Sequence, residues 1–183
     1  EELSFIAMPD ARNFTIACIK ILPDYFFKIP ASSTGKYHPS YTLGEDGLML
    51  HTKAAVRIAV ELLKLEMMEY NDIQKDIIII SLILHDGLKK GFPERKFTSP
   101  THPLDIVGYI KEHEDILALV DPKIYNSIFD CISTHMGQWN LDYQTKEPVL
   151  PKPKKKMQYF VHLCDYLASR KCLEFNFDAK VVR

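Results

Sequence analysis

The stretch that decides the fold is IIIISLILHDGLKKG, residues Ile77–Gly91. Eight apolar or small residues end abruptly in a histidine and an aspartate, His85 and Asp86, and a glycine and two lysines come close behind. A carboxylate at the end of a dry segment is costly unless it is paired or bound to a metal ion. The sequence therefore raises the question of what His85 and Asp86 bind.

The residues on either side of the run favour a helix over a strand. Four consecutive β-branched isoleucines also suit a buried strand. However, Asn71 or Asp72 can cap a helix N-terminus, and Gly87 is typical of a helix C-terminal stop. Because the helix over Asp72–Leu84 has apolar residues on every side, we expect it to be central and fully buried.

The rest of the chain is dominated by helical patterns, and no stretch alternates convincingly with period two. The sequence therefore predicts an all-α protein, a compact helical bundle. The predicted helices are Asp10–Phe27 (with a break at Pro23), His51–Tyr70, Asp72–Leu84, Pro103–Glu114, Pro122–Met136 and Lys154–Lys171.

A turn-rich segment, Pro30–Gly47, interrupts the helical pattern and is predicted to be a long loop. Loops of this length in compact domains are more often functional than not. The predicted organisation is one domain over residues 1–183. It comprises an N-terminal helical segment (1–29), the loop region (30–50) and a helical metal-binding core (51–171).

Composition limits the class of protein. A hydrophobic content of 46% and a charged content of 26% are typical of a globular chain. The four cysteines form no C-x-x-C pair, so neither a disulfide framework nor a zinc knuckle is indicated. No leader sequence is evident and no apolar run is long enough to span a bilayer, so we expect a cytoplasmic protein without a membrane partner. The oligomeric state is left open.

Histidines and carboxylates recur at the edges of the predicted helices. The seven histidines include one at the start of a predicted helix, His51, and one near the end of another, His135. Asp165 interrupts the apolar stretch YFVHLCDYLASR. Neutral imidazoles and carboxylates together are ligands for zinc, iron, manganese or nickel. Each residue alone is typical of a cap or an ion pair, but together they indicate a metal site.

The order of these residues resembles the HD superfamily of metal-dependent phosphohydrolases. LILHDGLKKG is similar to the family's His-Asp doublet, and VHLCDYLASR to its closing aspartate helix. GEDGLMLHT resembles the approach to the first histidine in exoribonuclease-like members. The resemblance covers roughly residues 36–171 and implies that the first metal ion is held by His51, His85, Asp86 and Asp165.

Two further stretches resemble members with two metal ions, including the HD-GYP phosphodiesterases. These stretches are THPLDIVGYI and ISTHMGQW, and they imply a second ion held by His102 and His135 and bridged by Asp86. The chain differs from HD-GYP proteins in two ways. It has Met136 where those proteins carry a second histidine, and it lacks their Gly-Tyr-Pro signature. A cyclic dinucleotide specificity is therefore not expected.

The resemblance implies one or two divalent ions (Mn, Fe, Ni, Zn or Mg) and hydrolysis by metal-activated water. Two cations about 3.5–4 Å apart lower the pKa of a shared water and polarise phosphoryl oxygens. Asp86 and Lys89 are the predicted catalytic residues, with Lys89 neutralising charge on the phosphate. Lys36 and His38 of the long loop and Arg170 are predicted substrate contacts. His162, one turn before Asp165, is predicted to orient a ligand.

The expected activity is cleavage of a phosphoester in a nucleotide or short nucleic acid. A 3'–5' exoribonuclease and a cyclic-nucleotide phosphodiesterase are alternatives within the same chemistry. The near-zero net charge favours small nucleotides over long RNA. A di-iron oxygenase would use the same ligands for another reaction, and a nucleotide-sensing binding module would be non-enzymatic.

Overall fold

The isoleucine-rich stretch forms the central helix of the computed structural model, which describes residues 1–32 and 34–173. This helix, α3, covers Asp72–Leu84, and all its residues from Asp76 onward are buried. Asn71 caps it, because its side chain accepts from the Gln74 N–H while the Gln74 side chain accepts from the Asn71 N–H. The predicted helix and its Asn71 cap are confirmed.

Six further α-helices lie within the described part of the chain. They are α1 (Pro9–Lys20), α2 (Gly47–Leu62), α4 (His102–Lys111), α5 (Glu114–Leu117), α6 (Pro122–Thr134) and α7 (Lys156–Ala168), with 3-10 helices at Glu2–Phe5, Asp24–Phe27 and Ser40–Thr42. Within residues 1–32 and 34–173, extended pairing is limited to one bridge between Leu141 and Pro148. The all-α prediction is confirmed. Residues 33 and 174–183 of the predicted domain lie outside the described part.

Helix α3 contacts α1, α2, α6 and α7, and α2 also runs against α7. Ile78, Ile80, Leu82 and Leu84 on α3 are fully buried in one continuous apolar core. Burial of each such side chain contributes about 1.5–3 kcal/mol. The C-terminal end of α3 is therefore held firmly, and it is this end that carries His85 and Asp86.

One of the helix predictions is confirmed in detail and another needs correction. The predicted break at Pro23 is confirmed, since α1 ends at Lys20 and a separate 3-10 helix follows. The predicted helix His51–Tyr70 is wrong at both ends, because α2 starts at Gly47 and stops at Leu62. His51 therefore lies in the second turn of α2. Met67 has the spacing of a core residue but is 73% exposed, so no burial sustains a helix there.

Gly87 has a different role from the one predicted. It does not take a left-handed conformation, so it is not a helix stop of the usual glycine type. A Cβ at Gly87 would lie 2.8 Å from Leu22 Cδ2 and 3.1 Å from Ile106 Cδ1. Glycine is favoured because the side chains of Leu22, shortly after α1, and of Ile106, within α4, pack closely against the backbone just after Asp86.

Helix length bears on the predicted absence of a membrane partner. Among the residues that the structure describes, no helix combines the length and the apolar character needed to cross a bilayer.

Candidate metal centre

The six predicted ligands come from five helices and meet in one place. His51 lies on α2, His85 and Asp86 follow α3, His102 opens α4, His135 follows α6 and Asp165 lies on α7. The side chains of the first five are at most 3% exposed, and that of Asp165 is 18% exposed. The fold therefore assembles all six ligand candidates at the buried end of α3.

One half of the cluster lies around Asp165. The Nε2 atom of His51 is 2.9 Å from Asp165 Oδ1, and that of His85 is 3.5 Å from the same oxygen. Asp86 faces this half with Oδ2, which lies 3.5 Å from His85 Nε2 and 3.9 Å from His51 Nε2.

The other half lies around the second oxygen of Asp86. Oδ1 is 3.0 Å from His102 Nε2 and 3.8 Å from His135 Nε2. The Nε2 atoms of His102 and His135 are 3.3 Å apart. Asp86 thus presents one carboxylate oxygen to each half, which is the arrangement expected of a bridging ligand.

Backbone hydrogen bonds fix the tautomers of three histidines. In His85, His102 and His135, Nδ1 donates to the carbonyl oxygen three residues earlier; these partners are Leu82, Ser99 and Ile132, at 2.7, 2.9 and 2.8 Å. A carbonyl only accepts, so Nδ1 carries the hydrogen and Nε2 of the neutral ring presents a lone pair to the centre. Metal-binding histidines are typically oriented in this way.

Two polar atoms of the centre are buried without a hydrogen-bond partner among the described residues, namely His85 Nε2 and Asp86 Oδ1. Asp86 Oδ1 lies 3.0 Å from His102 Nε2 and 3.8 Å from His135 Nε2. A buried polar atom without a partner is unfavourable, and a cation bound between the carboxylate and the imidazoles would satisfy both atoms. The donor set therefore fits a divalent metal ion.

His51 differs from the other three. Its Nδ1 is buried without a hydrogen-bond partner among the described residues, and its Nε2 atom faces Asp165. The ring is therefore oriented by the carboxylate and by packing, without a backbone carbonyl.

The electrostatics of the centre also favour a cation. Burial opposes ionisation of Asp86 and Asp165, but Lys89 and His85 outweigh it at Asp86, and His51 and His85 outweigh it at Asp165, so both pKa values stay well below the usual range. Burial, reinforced by His85, lowers the pKa of His135 to about 3. Two ionised carboxylates thus lie beside a neutral His135, with Lys89 as the ammonium group paired to Asp86.

Burial also acts on His85, but there the neighbouring charges prevail. Desolvation alone would lower its pKa, whereas the carboxylates of Asp86 and Asp165 raise it above the usual value. Two overlapping groups, His51–His85–Asp165 and His85–Asp86–His135, bring their ligand atoms close enough to hold a metal ion. His102 adjoins the second group through its contacts with Asp86 and His135.

A small cavity of about 140 Å³ opens onto the centre. Three of the four residues predicted to act on substrate line it, namely His38, Lys89 and Arg170. Lys36 does not line it, because its side chain is exposed and lies over the Tyr37 ring. The long loop thus reaches the site through His38, whose ring centroid lies 5.6 Å from that of His51. Burial lowers the pKa of His38 to about 4, so its ring is neutral at pH 7.

Arg170 is held over the cavity by aromatic rings that the sequence analysis missed. Its guanidinium carbon lies 5.2 Å from the Tyr37 ring centroid and 4.5 Å from that of Tyr166. Trp139 stacks on Tyr166 with centroids 5.5 Å apart and an interplanar angle of 14°. These rings come from separate segments, so only the fold reveals the stack. It fixes the orientation of the guanidinium.

His162, which was predicted to orient a ligand, contacts the residue that carries one of the ligand candidates. Its Nδ1 atom donates to the backbone carbonyl of His135 at 2.6 Å. That carbonyl lies in the same residue as a ligand candidate, so α7 positions the turn after α6.

Ser99 was also missed, and it connects Lys89 to His102. Its N–H donates to the Lys89 carbonyl at 2.8 Å, and its own carbonyl accepts from His102 Nδ1. Its hydroxyl donates to Asp105 at 2.6 Å. These contacts join segments that no local sequence pattern connects.

Comparisons of the chain with protein-family models, curated proteins and solved structures gave no match. The resemblance to the HD superfamily therefore stays a prediction. The geometry of the buried centre and of the cavity above it is what bears on function.

Proposed function

We propose that this protein is a metal-dependent phosphohydrolase of the HD type. The observation that supports it is the position of Lys89 and Arg170, two cationic side chains, on the same cavity as a buried cluster of histidines and carboxylates. A cluster of this kind suits divalent metal ions, and a cationic lining above it suits an anionic substrate.

The proposed ligands divide between two ions. His51, His85 and Asp165 would hold the first with Asp86, and His102 and His135 would hold the second, with Asp86 shared through its two oxygens. When bound, such ions act as Lewis acids toward phosphoryl oxygens and lower the pKa of water.

The other residues of the cavity bind and orient the phosphoester. Hydrolysis adds water across one phosphorus–oxygen bond and gives an alcohol and a phosphate. Lys89 and Arg170 neutralise the negative charge that the phosphoryl group carries through this step. Arg170 offers a planar fork of N–H donors already fixed between two rings, so little conformational entropy is lost when it binds phosphate.

His38 completes the polar lining. Because its ring is neutral at pH 7, it can exchange hydrogen bonds with the substrate without adding charge. The proposed contact of Lys36 requires movement of its exposed side chain toward the cavity, since it lies outside the lining.

A di-iron oxygenase remains the second use of the same ligand set. The cationic lining favours the phosphohydrolase, because a neutral substrate offers no negative charge for Lys89 and Arg170 to bind. Oxygen consumption by the iron-loaded protein, measured beside phosphoester hydrolysis, distinguishes the two reactions. A nucleotide-sensing module would bind a nucleotide and show neither activity.

The first prediction concerns Asp86→Asn. The amide removes one negative charge and one of the two shared oxygens, so we expect metal content to fall and hydrolysis to drop more than about 100-fold. Metal content is measured by mass spectrometry after loading with manganese, nickel, zinc or iron. Hydrolysis is measured with p-nitrophenyl phosphate and bis(p-nitrophenyl) phosphate, which separate monoester from diester cleavage.

Asp130→Asn is the matched control, because Asp130 is half exposed and pairs with Lys155 away from the cavity. It is expected to leave metal content and hydrolysis unchanged. Thermal unfolding of both variants checks that they remain folded. A wild-type protein that takes up metal and hydrolyses neither substrate would contradict the proposed function.

A further inference from the structure

A second and larger cavity adjoins the metal centre. Its volume is about 680 Å³, and Lys89 lines both it and the smaller cavity. We call it the lysine groove; it is lined by Ile29, Pro30, Ala31, Lys89, Lys90, Lys96, Phe97, Thr98 and Tyr143.

The charge of the lysine groove is entirely positive. Three lysines and no carboxylate line it. Lys89 is paired with Asp86, and Lys90 with Glu94 at 2.9 Å. Lys96 makes no ion pair with any residue of the described ranges, and its Nζ lies 5.3 Å from the Phe97 ring centroid. An uncompensated ammonium group is therefore available in the groove, separated along the chain from the lysine at the metal centre.

The lysine groove also exposes two aromatic rings. Phe97 is 69% exposed and Tyr143 is 86% exposed, although both are large. Exposed aromatic rings next to lysines are the usual components of a surface on which nucleic-acid bases stack while phosphates contact the cations.

The volumes of the two cavities indicate which of them can hold a nucleoside. Ligand sites for small molecules typically occupy about 300–1,000 Å³. The cavity over the metal centre, at about 140 Å³, holds a phosphoryl group but is too small for a nucleoside. The lysine groove is large enough and begins at Lys89.

We propose that the lysine groove binds the nucleotide next to the cleaved phosphoester in a short single-stranded oligonucleotide. This rests on the proposed function, since it places the cleaved phosphoester at the metal ligands. Lys89 contacts the phosphoester that is cleaved, Phe97 or Tyr143 stacks on the adjacent base, and Lys96 contacts the next phosphate. A mononucleotide offers no second phosphate for Lys96, and a duplex keeps its bases stacked on each other.

The test measures binding separately from hydrolysis. Chelator-treated protein is titrated into a fluorescein-labelled single-stranded hexanucleotide, and anisotropy gives the Kd. Phe97→Ala and Tyr143→Ala remove stacking surfaces, so at least one is expected to raise the Kd about 5- to 20-fold. Lys96→Ala is expected to raise the Kd and to reduce the slope of log Kd against log salt by about 0.7.

Controls of the same residue types lie elsewhere on the surface. Tyr159 is 56% exposed, Lys75 lies on α3, and neither lines the groove. Tyr159→Ala and Lys75→Ala are expected to leave the Kd unchanged. Every substitution replaces an exposed or partly exposed side chain, and equal melting temperatures confirm that the variants are folded.

Three results would overturn the assignment of the lysine groove. The first is that the hexanucleotide does not bind. The second is that none of the three groove substitutions changes the hexanucleotide Kd. The third is that a labelled mononucleotide binds as tightly as the hexanucleotide. Hydrolysis of bis(p-nitrophenyl) phosphate by metal-loaded wild type is assayed in parallel, so failure of the groove is distinguishable from failure of the proposed function.

Discussion

At the scale of single residues, the candidate metal centre depends on a glycine, which contributes space and no polar group. Gly137 has φ of +57°, and a Cβ there would lie 2.3 Å from the Cε1 atom of His162. His162 in turn donates to the His135 carbonyl. Gly137 thus provides the space from which His162 holds the turn that carries His135.

Gly137→Ala is expected to destabilise the protein by about 1–3 kcal/mol, because the methyl group strains the backbone and displaces the His162 ring. The displaced ring no longer orients His135, so manganese affinity is expected to fall about 10- to 100-fold. Urea unfolding and isothermal titration calorimetry measure the two effects.

Gly108 in α4 provides the matched control for Gly137, since a Cβ there meets nothing within 4 Å and its φ is ordinary. Gly108→Ala is expected to be neutral or slightly stabilising. A Gly137→Ala protein with wild-type manganese affinity would show that His162 does not position His135.

The ligand candidates could be predicted from the sequence, whereas most of their supports could not. Asp86 and Asp165 stand out because a carboxylate beside an apolar run needs a partner. The position of His162 one turn before Asp165 suggested a supporting role, but its contacts with the His135 carbonyl and with Gly137 are visible only in the fold. Tyr37, Tyr166 and Trp139 likewise form their stack only in the folded chain.

At the scale of helices, α3 is anchored at both ends by polar contacts. The C-terminal end of α3 leads into the candidate metal centre. Near the N-terminal end of α3, the Asp76 carboxylate accepts from the Ala7 N–H at 2.8 Å and from the Met8 N–H at 2.7 Å. Asp76 is 1% exposed. Because Met8 is the N-cap of α1, this carboxylate links the start of α1 to α3.

Asp76→Asn is expected to lower the free energy of unfolding by about 1.5–3 kcal/mol, since an amide offers one acceptor where two N–H groups need one each. Urea unfolding measures the change. Asp72→Asn, on the same helix but 86% exposed in its side chain, is expected to change stability by less than about 1 kcal/mol. Equal stability of the two variants would contradict the anchoring role of Asp76.

The error at the start of α2 shows why helix ends escaped prediction. The long loop closes on itself, because the Ala31 N–H donates to the Thr42 carbonyl and the Leu48 N–H to that of Ile29, each at 2.9 Å. A Cβ at Gly47 would lie 2.1 Å from the Thr42 carbonyl oxygen. The start of α2 thus depends on contacts between the two ends of the long loop. A local sequence pattern cannot predict such contacts.

At the scale of the whole molecule, the net charge does not describe the local charge of the surface that a partner would contact. The formal charge of −1 favours a small nucleotide over nucleic acid when it is averaged over the chain. The lysine groove nevertheless has a purely cationic lining next to the metal centre. Attraction of the proposed oligonucleotide would depend on this local field, whereas carboxylates elsewhere in the chain enter only the total charge.

Three buried thiols report on how the whole bundle opens. Cys18 lies on α1, Cys131 on α6 and Cys164 on α7, whereas Cys172 is exposed. Burial raises the pKa of Cys18 and of Cys131 to about 12, and it also raises that of Cys164. The thiolate is the reactive form, so the three buried thiols react only when the structure opens.

At pH 8 we expect iodoacetamide to label Cys172 rapidly and the three buried thiols slowly. In denaturant, all four thiols are expected to be labelled. Peptide mass spectrometry measures the labelling at each cysteine. Manganese at 100 times its Kd stabilises the native state by about 2.7 kcal/mol, so reaction through global opening slows about 100-fold. The rate at Cys172 is the internal control and is expected to stay constant. Buried thiols that react as fast as Cys172, or at a rate that manganese does not change, would show that the metal centre does not stabilise the bundle as a unit.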